Sequence, residues 1–255
     1  MVFESIRVGI MFNAFVSSIV AIIAFVFSIF LFIRWHRLDT ALRAYTGFWV
    51  MTTLVWVFSA ARYLFIGTGF FAPAYTYYGS LVHLGDIIVQ GAVFFTGPPL
   101  FYYVTIRVFG KDRIAVVAAF ISFLLGSVAL WLIVKPNGLS TPVFTFFSAD
   151  ASINTASLLI FGIEIVVLIF MLVYDTVTKI QLRRATRNTD ALFHALYSIS
   201  LLVYVMLGGI DQSKIILDWP LIVFRVFYGG AFLMAYLTII QHETSHDTFL
   251  ISEPS

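Results

Sequence analysis

The stretch LVHLGDIIVQGAVFFTGPPL, Leu81 to Leu100, decides how this chain is read. It is apolar enough to lie in lipid, yet it carries His83, Asp86, Gln90 and, after Gly97, the pair Pro98 and Pro99. The composition around it fixes the setting. Of 255 residues, 61% are hydrophobic and 11% charged, whereas soluble domains carry about 25% charged residues. Too little polar surface exists to face water, so the sequence reads as an integral membrane protein.

Six further apolar runs accompany this one. Together the seven cover approximately residues 8–33, 44–66, 77–106, 114–134, 155–178, 191–210 and 220–240. Each is near or above the roughly 20 residues that cross about 30 Å of hydrocarbon as a helix. Backbone N–H and C=O groups find no water in lipid, so runs of this length must be helical. The first run is longer than the apolar core of a signal peptide and no small-residue cleavage site follows it, so it is expected to stay as a helix. The expected fold is all-α: a single bundle of seven transmembrane helices over residues 1–241. Short connections make successive helices antiparallel neighbours. A short polar tail, residues 242–255, is expected to be disordered.

Orientation follows from the fifteen Lys and Arg residues. Arg34, Arg37, Arg43, Arg107, Lys111, Arg113, Lys179, Arg183, Arg184 and Arg187 fall at the odd-numbered connections, and only Arg7, Lys135 and Lys214 on the other side. The positive-inside rule therefore places the N-terminus outside and the C-terminus in the cytoplasm. Arg62 and Arg225 complete the set, and both lie within predicted helices.

Those two arginines make the polar residues of the opening stretch informative. His83, Asp86 and Gln90 are spaced i, i+3 and i+7 and share one helix face. That face should look into the bundle, because a charge at the bilayer centre costs about 2.5–3.5 kcal/mol on insertion scales. Asp86 lies about 13 Å from the outer end of its segment at 1.5 Å per residue. Arg62, Arg225 and Glu164 reach comparable depths, and buried arginines need carboxylate partners. A network of Asp86 and Glu164 with both arginines is expected, with Asp211 and Asp218 also in reach of Arg225. Such a network suits a small ligand or a proton, with His83 as the group through which external pH enters. The same residues would also serve as ion pairs that only fix helix packing. Pro98 and Pro99 each remove a backbone donor and crowd the carbonyl four residues earlier, so a kink near Phe94 and Phe95 is expected, with Gly97, Pro98 and Pro99 as a hinge or a static bend.

Other chemistries find little support. Cysteine is absent, and there is no HExxH, P-loop or GxSxG pattern. His242 and His246 in HETSH have the spacing of a helical metal pair, but a third ligand is missing and the tail is expected to be solvated. His83 and His194 fall at opposite ends of the bundle, which argues against a bis-histidine haem. No enzyme activity, cofactor, metal or nucleic-acid partner is expected.

Two resemblances enter here. Seven helices with short connections, together with LVHLGDIIVQGAVFFTGPPLFYYV (81–104) and DWPLIVFRVFYGGAFLMAYL (218–237), resemble the seven-helix sensor modules associated with histidine kinases. The runs YTGFWVMTTLVWVFSAARYLFIGTGF (45–70), FFTGPPL (94–100) and ALYSISLLVYVMLGG (195–209) are similar in rhythm to microbial rhodopsins. The lysine that retinal requires is missing from LIVFRVFYGGAFLMAYLTII (221–240), so no Schiff base is expected. The sensor resemblance implies a receptor-like module, and the polar residues read above, Arg62, His83, Asp86, Gln90, Glu164 and Arg225, would form its site in the outer half of the bundle. Its partners would be the lipid bilayer and a separate signalling protein or a second copy. A small transporter or channel, or a structural subunit of a larger complex, uses the same residues. Below Glu164 the segments are almost wholly apolar up to the cytoplasmic edge, which favours a closed inner half.

Overall fold

The computed structural model describes residues 2–68, 78–140, 143–212 and 218–251, without the side chains of 2–7, 37, 78–83 and 242–251. Seven helices form it: α1 (Val2–Ile33), α2 (Thr40–Gly67), α3 (Tyr78–Phe109), α4 (Asp112–Val134), α5 (Thr155–Thr186), α6 (Thr189–Gln212) and α7 (Trp219–Ile251). All seven carry a span long and apolar enough to cross a membrane. Each helix packs on its sequence neighbour, α7 returns to α1, and α5 also reaches α3. The result is a closed ring. Its outer face is apolar, with Phe15 63% and Phe170 72% exposed, which is the surface lipid demands and water would penalise.

Local sequence sets the helix ends. The Asp39 side chain accepts from the Leu42 N–H at 2.7 Å to start α2, and Asn154 accepts from the Ser157 N–H at 2.9 Å to start α5. Arg187 closes α5 in the left-handed conformation, φ 57°. Several helices outrun the apolar windows, because helix continues past hydrocarbon wherever propensity permits. The α5 extension ends with Arg183 and Arg184 in its last turn, where cations meet the negative end of the helix dipole. The expected disordered tail is corrected in part: the backbone of α7 remains helical to Ile251.

One feature departs from an all-helical reading. The connection between α4 and α5 folds into a small antiparallel hairpin, β1 (Val143–Phe144) paired with β2 (Ala149–Asp150). It is seated on the helix ends: the Asn13 side chain donates to the Phe147 carbonyl, the Phe147 N–H donates to Asp218 at 3.2 Å, and the rings of Phe12 and Phe147 lie 6.0 Å apart. Phe144 and Phe147 of this connection thus dock onto the bundle. The end that carries the hairpin is called the hairpin end, and the opposite end, where α1, α3 and α5 finish among their arginines, the basic end.

The core is aromatic. Phe27 of α1, Tyr45, Phe48 and Trp49 of α2, Tyr204 of α6 and Phe232 of α7 interlock around Trp49, which is fully buried. Small residues bring the helices close. Ser28 and Thr53 hydrogen-bond across α1 and α2 at 2.7 Å, and a Cβ at Gly126 would come within 3.3 Å of Phe94. Lipid offers no hydrophobic drive between helices, so such close packing and hydroxyl pairing hold the bundle.

Candidate functional site

Arg62 lies near the hairpin end of α2, where its turn faces α3 and the hairpin. Its two terminal nitrogens are engaged, while its Nε has no hydrogen-bond partner. One guanidinium nitrogen sits 2.9 Å from Asp86 of α3, another 3.0 Å from Asp150 of β2, and the side chain also donates to the Ala149 carbonyl. The neighbouring Tyr63 hydroxyl donates to both oxygens of Asp150, at 2.9 and 3.0 Å. This cluster ties α2, α3 and the hairpin together.

Beside it a cavity of about 130 Å³ enters the bundle. Arg62, Asp86, Asp150, Asp211, Gln212 and Arg225 line its charged part, and Trp56, Phe94, Phe161, Leu168, Tyr204 and Tyr228 its apolar part. Gln90 also lines it and donates to Gln212 at 3.1 Å, joining α3 to α6. A water needs about 10–15 Å³ of such space, so the cavity has room for a small organic molecule rather than a lone water.

Arg225 is the wall contributed by α7. Only 5% exposed, it stands against the rings of Trp56 and Tyr63, 5.4 and 4.9 Å from their centroids. Cation–π contact at that range partly compensates a guanidinium. Its Nε has no hydrogen-bond partner, and among the described residues no carboxylate lies within ion-pair distance of it. The expectation that both arginines pair is therefore corrected: Asp86 and Asp150 serve Arg62, and neither Asp211 nor Asp218 bridges to Arg225. The rings of Trp56 and Tyr63, rather than a carboxylate, flank the guanidinium.

Glu164 is the second surprise. It is 6% exposed and lines the cavity, but it meets no arginine, and its Oε1 has no hydrogen-bond partner. Its polar neighbour is Ser122 of α4. Gly97 makes room for both: a Cβ there would lie 2.5 Å from the Ser122 hydroxyl and 3.9 Å from either Glu164 oxygen. Gly97 thus belongs to the cavity wall. Pro98 and Pro99 follow within a helix unbroken from Tyr78 to Phe109, and a Cβ on Gly47 of α2 would approach Pro99 to 3.4 Å. The side chain of His83 lies outside the described residues.

Of the sequence-derived set, the fold brings Arg62, Asp86, Gln90, Glu164 and Arg225 to one cavity. Asp150 and Tyr63 join them without having been singled out, and Ser122 stands beside Glu164. Asp150 had one usable signal: it follows the apolar run Val143 to Phe147 in the connection between α4 and α5. A second polar cluster lies toward the basic end. Asp175 of α5, 3% exposed, accepts from Ser198 of α6 at 2.6 Å and stands 4.0 Å from Lys179; Tyr45 and Ser200 hydrogen-bond at 3.2 Å. Buried Leu100, Leu168, Leu172 and Leu201 belong to the apolar core between the cavity and that cluster. The expected apolar inner half is therefore a layer, with a buried carboxylate beyond it.

No family model matches this chain, and no curated protein is similar to it at a significant level.

Proposed function

We propose that this protein is a membrane sensor or receptor-like module whose cavity takes a small ligand or a proton from outside and whose basic end signals to a separate partner. The observation that carries the reading is the pair of buried, incompletely satisfied charges, Arg225 and Glu164, on the wall of one cavity. Evolution rarely leaves ionisable groups unpaired inside a membrane without a use for them. Occupancy would exchange weak aromatic contacts of Arg225 for a charged hydrogen bond and so bias the packing of α7 against α2 and α6. The Leu100, Leu168, Leu172 and Leu201 layer favours a cavity that is closed below, as a receptor needs. A transporter would have to open that layer toward Asp175.

The test is a thermal-shift screen of a small-metabolite collection on the purified protein and on Arg225→Gln. Compounds that raise the melting temperature of the wild type and not of the variant are expected. A screen in which every stabilising compound acts equally on both proteins would defeat the reading. Flux of such a compound into proteoliposomes would replace the receptor with a transporter.

The orientation is testable separately. The chain contains no cysteine, so single thiols report cleanly. Ser140→Cys, on the hairpin end, should react with an impermeant maleimide in intact cells, and Thr186→Cys, on the basic end, only after permeabilisation. The reverse pattern would turn the cavity toward the cytoplasm.

A further inference from the structure

Arg225 and Glu164 have opposite charge chemistry, are each more than nine-tenths buried, and line the same cavity without forming an ion pair with each other or with another described residue. The Arg62 guanidinium beside them is already ion-paired to Asp86 and Asp150. Arg225 and Glu164 thus leave the wall of the cavity with one guanidinium and one carboxyl group that have no ion pair among the described residues, each with a buried polar atom lacking a hydrogen-bond partner. From this we infer that the ligand of the cavity is a small zwitterion, an aromatic amino acid analogue with a carboxylate at one pole and an amine at the other. The inference rests on the ligand-binding reading above and names its chemical class.

The carboxylate pole belongs at Arg225. A guanidinium offers two parallel N–H donors that match a carboxylate, and Trp56 and Tyr63 hold its plane in place. The amine pole belongs at Glu164, whose Oε1 lacks a partner and whose carboxylate accepts from an ammonium. The body between them is set by volume and lining. About 130 Å³ is close to the engineered cavity of about 150 Å³ that holds benzene, so a single six-membered ring fits. Trp56, Phe94, Phe161, Tyr204 and Tyr228 supply ring faces and edges for it. A ligand with one charged pole would leave the other buried group unsatisfied; a zwitterion satisfies both and adds no net charge. Recognition by two poles also rejects analogues that lack either, because each omission leaves a buried polar group without a partner.

Titration calorimetry in detergent with para-(aminomethyl)benzoate and its meta isomer, against benzoate and benzylamine, tests the assignment. At least one zwitterionic isomer should bind roughly tenfold or more tightly than either single-pole compound. Arg225→Met should abolish the advantage over benzylamine, and Glu164→Gln the advantage over benzoate. Both variants should remain folded, and Arg225→Met should melt at a higher temperature than the empty wild type, since it removes a buried charge that has no carboxylate. Equal affinity for benzoate and the zwitterions would overturn the second pole while leaving a ligand cavity intact. Absence of binding by all four probes overturns the inference outright; the broader cavity reading then stands or falls on the metabolite screen.

Discussion

Replacing Arg62 with Gln should destabilise the protein by about 3–5 kcal/mol, the usual cost of removing one member of a buried ion pair. The guanidinium bridges Asp86 at 2.9 Å and Asp150 at 3.0 Å, and its loss leaves two carboxylates facing each other at low dielectric. The Tyr63 hydroxyl remains on Asp150, but nothing of comparable strength replaces the charge on Asp86. Part of the loss should return in the double variant Arg62→Gln, Asp86→Asn, because the second substitution removes the stranded anion. Reversible unfolding in mixed micelles measures the cycle. A coupling near zero would mean that the contact contributes no net stability. The same cycle run with Arg225→Gln in place of Arg62→Gln should show little coupling to Asp86, since these two form no ion pair.

This contrast between two arginines marks how far the sequence could be read. Burial of both was legible from hydropathy alone, because each interrupts a run that must cross lipid. Membership of one cavity was legible too, from helix phase and depth: Asp86 and Gln90 do face inward. Partnership was not. Which carboxylate meets which arginine depends on helix rotation and on the Asp150 side chain, which a two-stranded hairpin lowers onto Arg62. A loop acid carries no periodic signal, and short strands of two residues carry no alternation to detect. Asp175 was hidden for a related reason. Spaced four residues from Lys179, it reads as a solvated helix pair, and only the packing of α6 against α5 encloses it beside Ser198.

Helix existence was legible from the amount of apolar sequence, and the window 8–33 coincides with the span Val8–Ile33. Helix ends were less so. Hydropathy reports where lipid ends, whereas backbone hydrogen bonding continues through polar residues of good propensity, as it does from Thr178 to Thr186 in α5 and past Gln241 in α7.

The largest loss outside the charged cluster should follow Trp49→Ala, at about 3–5 kcal/mol. Trp49 is fully buried and its ring centroid lies 5.7 Å from Phe27, 5.8 Å from Tyr45, 4.9 Å from Phe48, 5.4 Å from Tyr204 and 4.7 Å from Phe232. Within lipid the cost does not come from exposing apolar surface to water, because the unfolded helices remain in hydrocarbon. It comes from lost dispersion contacts around a void that neighbouring helices fill only in part. Phe170→Ala supplies the control: at 72% exposure this ring faces lipid, and acyl chains replace its contacts, so about 0.5 kcal/mol or less is expected. Trp49→Phe should retain most of the stability by keeping an aromatic ring among the five. Because Phe48 and Tyr204 both touch Trp49 and line the cavity, Trp49→Ala should also weaken any Arg225-dependent ligand, whereas Phe170→Ala should not. Equal stability losses for Trp49→Ala and Phe170→Ala would mean that the aromatic cluster is not the packing centre of the bundle.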